Sequence, residues 1–284
     1  MSELTVAQAA DLIAAGSLVA FPTETVYGLG ADATSNSAVA QIFAVKGRPA
    51  DHPLIVHVAD AAAAEYFADA IAEFVWGLMK AFWPGPLTVI VPRKPGIAKA
   101  SAGGQDSIGL RCPSHPLALE LLRECAQRGV HGVSAPSANK FGKVSPTTAE
   151  HVRQEFEGAV PVLDGGACQM GIESTIIDCT RGAPILLRPG TLTKAQIEAE
   201  LGRELLLNNE HAAEILRRQG AKNGAGLPAA PRASGMLESH YAPRAPLRLM
   251  DAQALQTALN VLGADAKHIA VYARSALKIA SNSL

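Results

Sequence analysis

Lys46 and Arg48 stand two apart in KGRPADHP (46–53), at the end of a helical pattern and ahead of Pro49 and Pro53, which forbid further helix. Two cations on a stiff turn suit a polyphosphate, the guanidinium gripping two oxygens at once and the ammonium acting as a point charge. The same pair suits the C-terminus of the preceding helix, whose dipole favours cations. Spacing alone leaves both readings open.

Three hydroxyl-rich stretches interrupt runs that should be apolar. FPTETVYGLGADA (21–33) and GIESTIID (171–178) carry Thr23, Thr25, Tyr27, Glu173, Ser174 and Thr175 where buried strands end or begin. VSAPSANKFGKVSP (133–146) adds Ser134, Ser137, Asn139 and Ser145 between glycine and proline turns. Such a loop binds phosphate or ribose through hydroxyls, an amide and backbone N–H groups, or it is simply a solvated surface loop. Arg111 in IGLRCP and Arg188 in LLRPG close two further strand-like runs. A lone strand-end arginine is ordinarily ion-paired or solvated. Several basic positions together with three hydroxyl-rich loops fit one anion pocket at the end of a sheet better. His57 shares a strand face with Ile55, opposite Leu54, Val56 and Val58. It reads most simply as a structural histidine, and nothing in its surroundings has metal-ligand spacing. The phosphate loops GxxxxGK[ST] and GxGxxG are both absent.

The elements that must position these residues alternate along the first two hundred positions. Short, branched-rich runs at 18–23, 53–58, 87–93, 108–112, 130–135, 160–164, 174–179 and 184–189 predict strands. Helical periodicity predicts a first helix stopped at Gly16, then helices over 36–45, 115–128, 147–156 and 193–201, the last opening with a Thr193 to Gln196 capping box. Some strands are adjacent and others separated by helices, which predicts a mixed α/β sheet rather than a repeating barrel. Residues 219–235 are rich in Gly, Ala and Pro and poor in large apolar side chains, as in a linker. Beyond them, strands are expected at 246–250 and 268–273 around a helix near 252–262. The organisation expected is a catalytic domain over 1–218, a linker over 219–244 and a partial α/β unit over 245–284.

Composition limits the partners. The 284 residues are 48% hydrophobic and 18% charged, enough to bury a sizeable core. A formal net charge of -1 provides no global field to gather nucleic acid or an anionic membrane. Cys112, Cys125, Cys168 and Cys179 are scattered without a CxxC pair, as expected of reduced packing thiols. The start of the chain carries an acid where a signal peptide needs a basic segment, and no apolar run reaches the roughly 20 residues of a membrane span. The expected location is the cytoplasm.

In order, FPTETVYGLGADA, KGRPADHPL, WPGPLT, APSAN, GIESTIID and LRPGTLT resemble the YrdC-like threonylcarbamoyl-AMP synthases. SGMLESHYAP (234–243) is similar to the linker of that family's two-domain members, with Ser234 where Pro is common before Gly235 and Ser239 where a basic residue is common before His240. The second unit is shorter than the family's usual one.

The resemblance implies a twisted mixed sheet with flanking helices and a nucleotidyl transfer. L-threonine, bicarbonate and ATP give threonylcarbamoyl-adenylate and pyrophosphate, for a downstream tRNA threonylcarbamoyl transferase. It implies Lys46 and Arg48 as catalytic. ATP would be held by Lys46, Arg48, Ser134, Ser137, Asn139, Ser145, Arg188 and Tyr241. L-threonine would be held by Thr23, Thr25, Tyr27, His57, Arg111 and Ser174, with Arg111 suited to the carboxylate. It implies Mg²⁺ without naming its ligands, no membrane, and weak or indirect contact with nucleic acid. Two other classes are open to such a chain. An RNA-binding module of the same fold is opposed by the net charge and by only 5% aromatic residues for base stacking. A carbamoyl-adenylate enzyme acting on carbamoyl phosphate is opposed by the missing CxxC pairs.

Overall fold

Thr5 and Gln8 cap the first helix reciprocally, hydroxyl to backbone N–H and amide oxygen to backbone N–H, so α1 (Val6–Ala14) starts where those two side chains replace missing helical partners. The computed structural model describes residues 4–207, 229–235, 243, 245–263, 265 and 269–273. After α1 come β1 (Val19–Phe21), β2 (Gly28–Asp32), α2 (Asn36–Lys46), β3 (Ile55–His57), a 3₁₀ turn at Ala62–Tyr66 and α3 (Glu73–Phe82). Then follow β4 (Leu87–Pro92), β5 (Ser107–Arg111), α4 (Pro116–Gln127), β6 (Val133–Ser134), α5 (Ala149–Glu155), β7 (Thr175–Asp178), β8 (Ile185–Arg188) and α6 (Lys194–Leu201).

The eight strands form one mixed sheet in the order β1-β2-β6-β3-β5-β4-β7-β8. β3 with β5 and β4 with β7 are parallel, and the other neighbours are antiparallel. The mixed α/β class read from the order of elements is the architecture found. Three differences have physical causes. β2 is a strand although it reads GLGAD. Gly30 there sits so close to Phe21 and Val133 that a Cβ would meet each at 2.9 Å, so the residues that weaken its strand signal are the ones that permit the pairing. Residues 160–164, expected as a strand, contribute only a parallel bridge from Val162 to Ala20 beside β1. α3 was not foreseen, although Val75, Leu78 and Met79 recur at helical spacing and are its buried residues.

One face of the central strands is core and the other is free for chemistry. Val56, Val89, Val91, Leu110 and Ile177 pack with Val75 and Leu78 of α3 and Ile197 of α6. Strand alternation turns Ile55, His57, Thr88, Ile90 and Ile176 to the opposite side. α2 and α5 cover β1 and β2 through Ile42, Val152, Phe156 and Leu29. α1 and α4 pack on Val19, Phe21 and Val133 through Ile13, Leu121 and Leu122.

Contacts divide the chain into units 1–242 and 243–284. In the second, Asp251 caps α7 (Ala252–Leu262), where a helix was expected. Residues 246–250 and 269–273, expected as strands, carry no strand pairing among the described residues. Among the described residues no helix is long and apolar enough to cross a membrane.

Candidate active site

The free face of the sheet and the loops at its edge enclose a cleft of about 490 Å³ up to and including its open mouth. Thr23, Thr25, Arg48, His57, Arg111, Ser137, Ser174 and Arg188 line it, together with Glu173 and Ser234. Residues from eight separate stretches of sequence thus share one wall.

Arg48 reaches the cleft because α2 ends at Gly47, whose φ of 63° turns the chain out of the helix, so both cations sit where the helix stops. Lys46 is 3% exposed. Its Nζ donates to the carbonyls of Ser137, at 2.5 Å, and Asn139. Burial and the neighbouring Arg48 pull its pKa down to about 7. Arg48 Nη2 donates to Pro53 O (2.9 Å) and Ser234 Oγ (3.1 Å). Lys46 and Arg48 thus stand where the helix stops, and Arg48 lines the cleft. Asn139 donates its amide N–H groups to Lys140 O and Lys143 O, while its buried Oδ1 has no hydrogen-bond partner among the described residues. That leaves an acceptor for a ligand's donor. Ser145 donates to Glu173.

On the other side, Arg111 makes a buried ion pair. Its Nη2 donates to Glu24 Oε1 at 2.7 Å and Thr25 Oγ1 at 3.0 Å, and its Nε to Gly85 O at 3.3 Å. Glu24 Oε2 accepts from the Ser114 N–H. Five donors on a guanidinium exceed these partners, so Glu24 fixes the plane of Arg111 and leaves its Nη1 edge for a ligand. Glu24 was missed as a site residue; the signal was an acid inside a run that should be apolar. Thr23 Oγ1 accepts from the N–H groups of Thr25 and Val26 and donates to Val26 O, so its hydroxyl builds the turn that presents Thr25. His57 lies edge-on to Phe21, and burial with Arg111 nearby lowers its pKa to about 3, keeping the ring neutral.

Ser174 joins the two sides. Its Oγ lies 2.8 Å from Thr88 Oγ1 and accepts from Arg188 Nη2 at 3.0 Å, and its carbonyl accepts from Arg188 Nε and Nη2. Gly190 makes this possible, since a Cβ there would stand 2.4 Å from the Thr175 nitrogen. Arg188 Nη1 donates to Ser234 O, and Ser234 Oγ to Pro53 O, so the 229–235 segment is stitched across the cleft wall.

Of the other expected site residues, Lys46, Asn139 and Ser145 are not among those that line the cleft, and Tyr27 and Ser134 are committed elsewhere. Tyr27 is fully buried in the core, its hydroxyl donating to Gly166 O and accepting from the Gly165 N–H, and burial lifts its pKa to about 12. Its role in this geometry is to anchor the 164–166 turn. Tyr27→Phe is expected to cost about 1–2 kcal/mol in urea unfolding while leaving the cleft's ligand affinities unchanged. Ser134 is also buried, donating to Ser101 Oγ, which donates to Ala33 O. Tyr241 lies outside the described residues. Among the described residues no three His, Cys, Asp or Glu side chains form a metal site.

Residues 11–190 match the Sua5_yciO_yrdC family, described as "Telomere recombination", and residues 192–283 match Sua5_C, described as "Threonylcarbamoyl-AMP synthase, C-terminal domain". The chain is 44% identical over 248 residues to threonylcarbamoyl-AMP synthase of Bacillus subtilis, covering 87% of this chain and 66% of that one. Against the Pyrococcus abyssi synthase it is 44% identical over 238 residues, covering 84% and 65%. It thus spans just under two thirds of the length of these curated relatives. The crystal structure of P. abyssi Sua5 complexed with L-threonine superposes with a TM-score of 0.78 at 37% identity, covering 97% of this chain and 79% of that one.

Proposed function

This chain belongs to the Sua5–YciO–YrdC family, and on that premise we propose that it makes threonylcarbamoyl-adenylate and pyrophosphate from L-threonine, bicarbonate and ATP. The observation that carries this reading is the meeting, in one cleft, of a fixed guanidinium with hydroxyls, Arg111 with Thr23, Thr25 and Ser174, on one side and of Arg48 with Ser137 on the other, Lys46 donating to the Ser137 carbonyl. The first side suits a small amino acid, the second a nucleoside polyphosphate.

The residue types suit the chemistry. The threonine amine and bicarbonate give a carbamate with loss of water; a carbamate oxygen then forms a bond to the α-phosphorus while the bond to the bridging oxygen breaks and pyrophosphate leaves. The nucleophile is already an anion and needs no general base. It needs two anions brought together and aligned. Lys46, Arg48 and Arg188 lower the repulsion, Arg111 holds the carboxylate, and neutral His57 adds no competing charge. Asn139 Oδ1 accepts from a ribose hydroxyl. Magnesium belongs to this proposal as the counterion ATP brings on its own phosphates. The product serves a tRNA-modifying transferase in the cytoplasm, where this chain works as a nucleotidyltransferase.

The test is pyrophosphate release by the purified chain with L-threonine and bicarbonate omitted in turn. Release that requires both supports the synthase, and release that requires neither overturns it.

Lys46 makes nucleotide binding proton-linked. With a folded-state pKa near 7, below the ordinary 10.5 of the unfolded chain, the folded protein binds fewer protons between those values, so stability rises with pH across that window and the full penalty of the buried cation is present below pH 7. A polyphosphate raises the Lys46 pKa again. ATP binding at pH 8 is therefore expected to take up close to one proton, read as different calorimetric heats in buffers of different ionisation enthalpy. Lys46→Met is expected to abolish the difference.

A further inference from the structure

Thr88, the last residue of WPGPLT, is the one polar side chain of β4 on the cleft face, and it has no exposed surface. Among the described residues its hydroxyl has a single hydrogen-bond neighbour, Ser174 Oγ at 2.8 Å. Proton bookkeeping then fixes a direction that the distance leaves open. If Ser174 donated to Thr88, the Thr88 proton would be buried without an acceptor, which a fully enclosed hydroxyl avoids. Thr88 must donate to Ser174. Arg188 Nη2, which can only donate, also points its hydrogen at Ser174 Oγ. Both acceptor positions of that oxygen are thereby filled, and its own proton has one place left to go, the cleft that Ser174 lines.

Resting on the synthase reading, we propose that Thr88 is a positioning residue that makes Ser174 an obligate donor to an anionic oxygen of the threonine-derived substrate. That oxygen belongs to the carboxylate or to the carbamate, whereas the threonine hydroxyl is excluded as a donor to Ser174. Thr88 acts without touching substrate. It also explains why a threonine is buried in a strand whose other residues on that face are Ile90 and Pro92.

The test uses Thr88→Val, which keeps the shape and removes the hydroxyl, with Thr88→Ser as the conservative variant, in the parent chain and in Ser174→Ala. Thr88→Val is expected to lower kcat/KM for L-threonine about tenfold with the KM for ATP little changed. Thr88→Ser should restore it, and Thr88→Val should add no further loss in Ser174→Ala. Calorimetric titration with L-threonine, without bicarbonate, separates the two oxygens. A matching loss of affinity assigns the carboxylate, and a loss confined to turnover assigns the carbamate. An unchanged kcat/KM in Thr88→Val, or the same tenfold loss in the Ser174→Ala background, overturns the inference while the synthase reading stands. A parent chain whose pyrophosphate release ignores threonine overturns the synthase reading and takes this inference with it.

Discussion

Glu24→Ala and Arg111→Ala are each expected to destabilise the protein by about 3–5 kcal/mol and to reduce pyrophosphate release to background. The two groups are almost wholly removed from water and lie 2.7 Å apart, so deleting either leaves a buried charge with no counter-charge. The cost comes from the partner left behind more than from the lost attraction. Glu24→Leu combined with Arg111→Met removes both charges at similar volume, and its loss of stability should be well below the sum of the single changes. Activity should stay at background in the double variant, because the carboxylate grip is gone. Urea unfolding followed with the pyrophosphate assay on the same four proteins checks both halves. A double variant as unstable as the sum would show that Glu24 and Arg111 contribute independently.

Lys46→Met is expected to show the opposite split, a loss of about a thousandfold in pyrophosphate release with stability changed by less than about 2 kcal/mol. Removing the ammonium strands the Ser137 and Asn139 carbonyls it now bridges, yet it also removes a cation that burial disfavours. Those effects oppose one another in the folded state without ligand. They do not oppose one another when a polyphosphate arrives. A Lys46→Met protein that keeps parental turnover would reassign phosphate neutralisation to Arg48 and Arg188.

Much of this site could be read from the chain because strand alternation and turn chemistry are local. The face shared by Ile55 and His57 followed from a period of two, and the end of α2 ahead of Pro49 followed from proline punctuation. What could not be read locally was how far each polar side chain was already committed. Tyr27 sits in the same motif as Thr23 and Thr25, yet its hydroxyl is used by a turn more than a hundred residues away. Glu24 gave no clue to its partner, because the strand that brings Arg111 beside it is set by sheet order. Ser134 and Ser137 are three residues apart in one hydroxyl-rich loop. One is spent on Ser101 in the core and the other lines the cleft, a distinction only packing decides.

The interleaved strand order also governs when the chain can assemble as it is synthesised. β4 lies between β5 and β7, and Leu87 finds its parallel partner in Thr175, roughly 90 residues later, which at 5–20 residues per second is on the order of 4–18 s of translation. Through that interval β4 can pair with β5 alone, and its other edge remains a row of unpaired amides beside Leu87, Val89 and Val91. β6 is likewise made after both strands it separates. The nascent chain therefore carries an open, apolar sheet edge until the polypeptide beyond Asp178 has emerged. Low temperature or a holding chaperone during expression should raise the soluble yield more than any change to the mature surface.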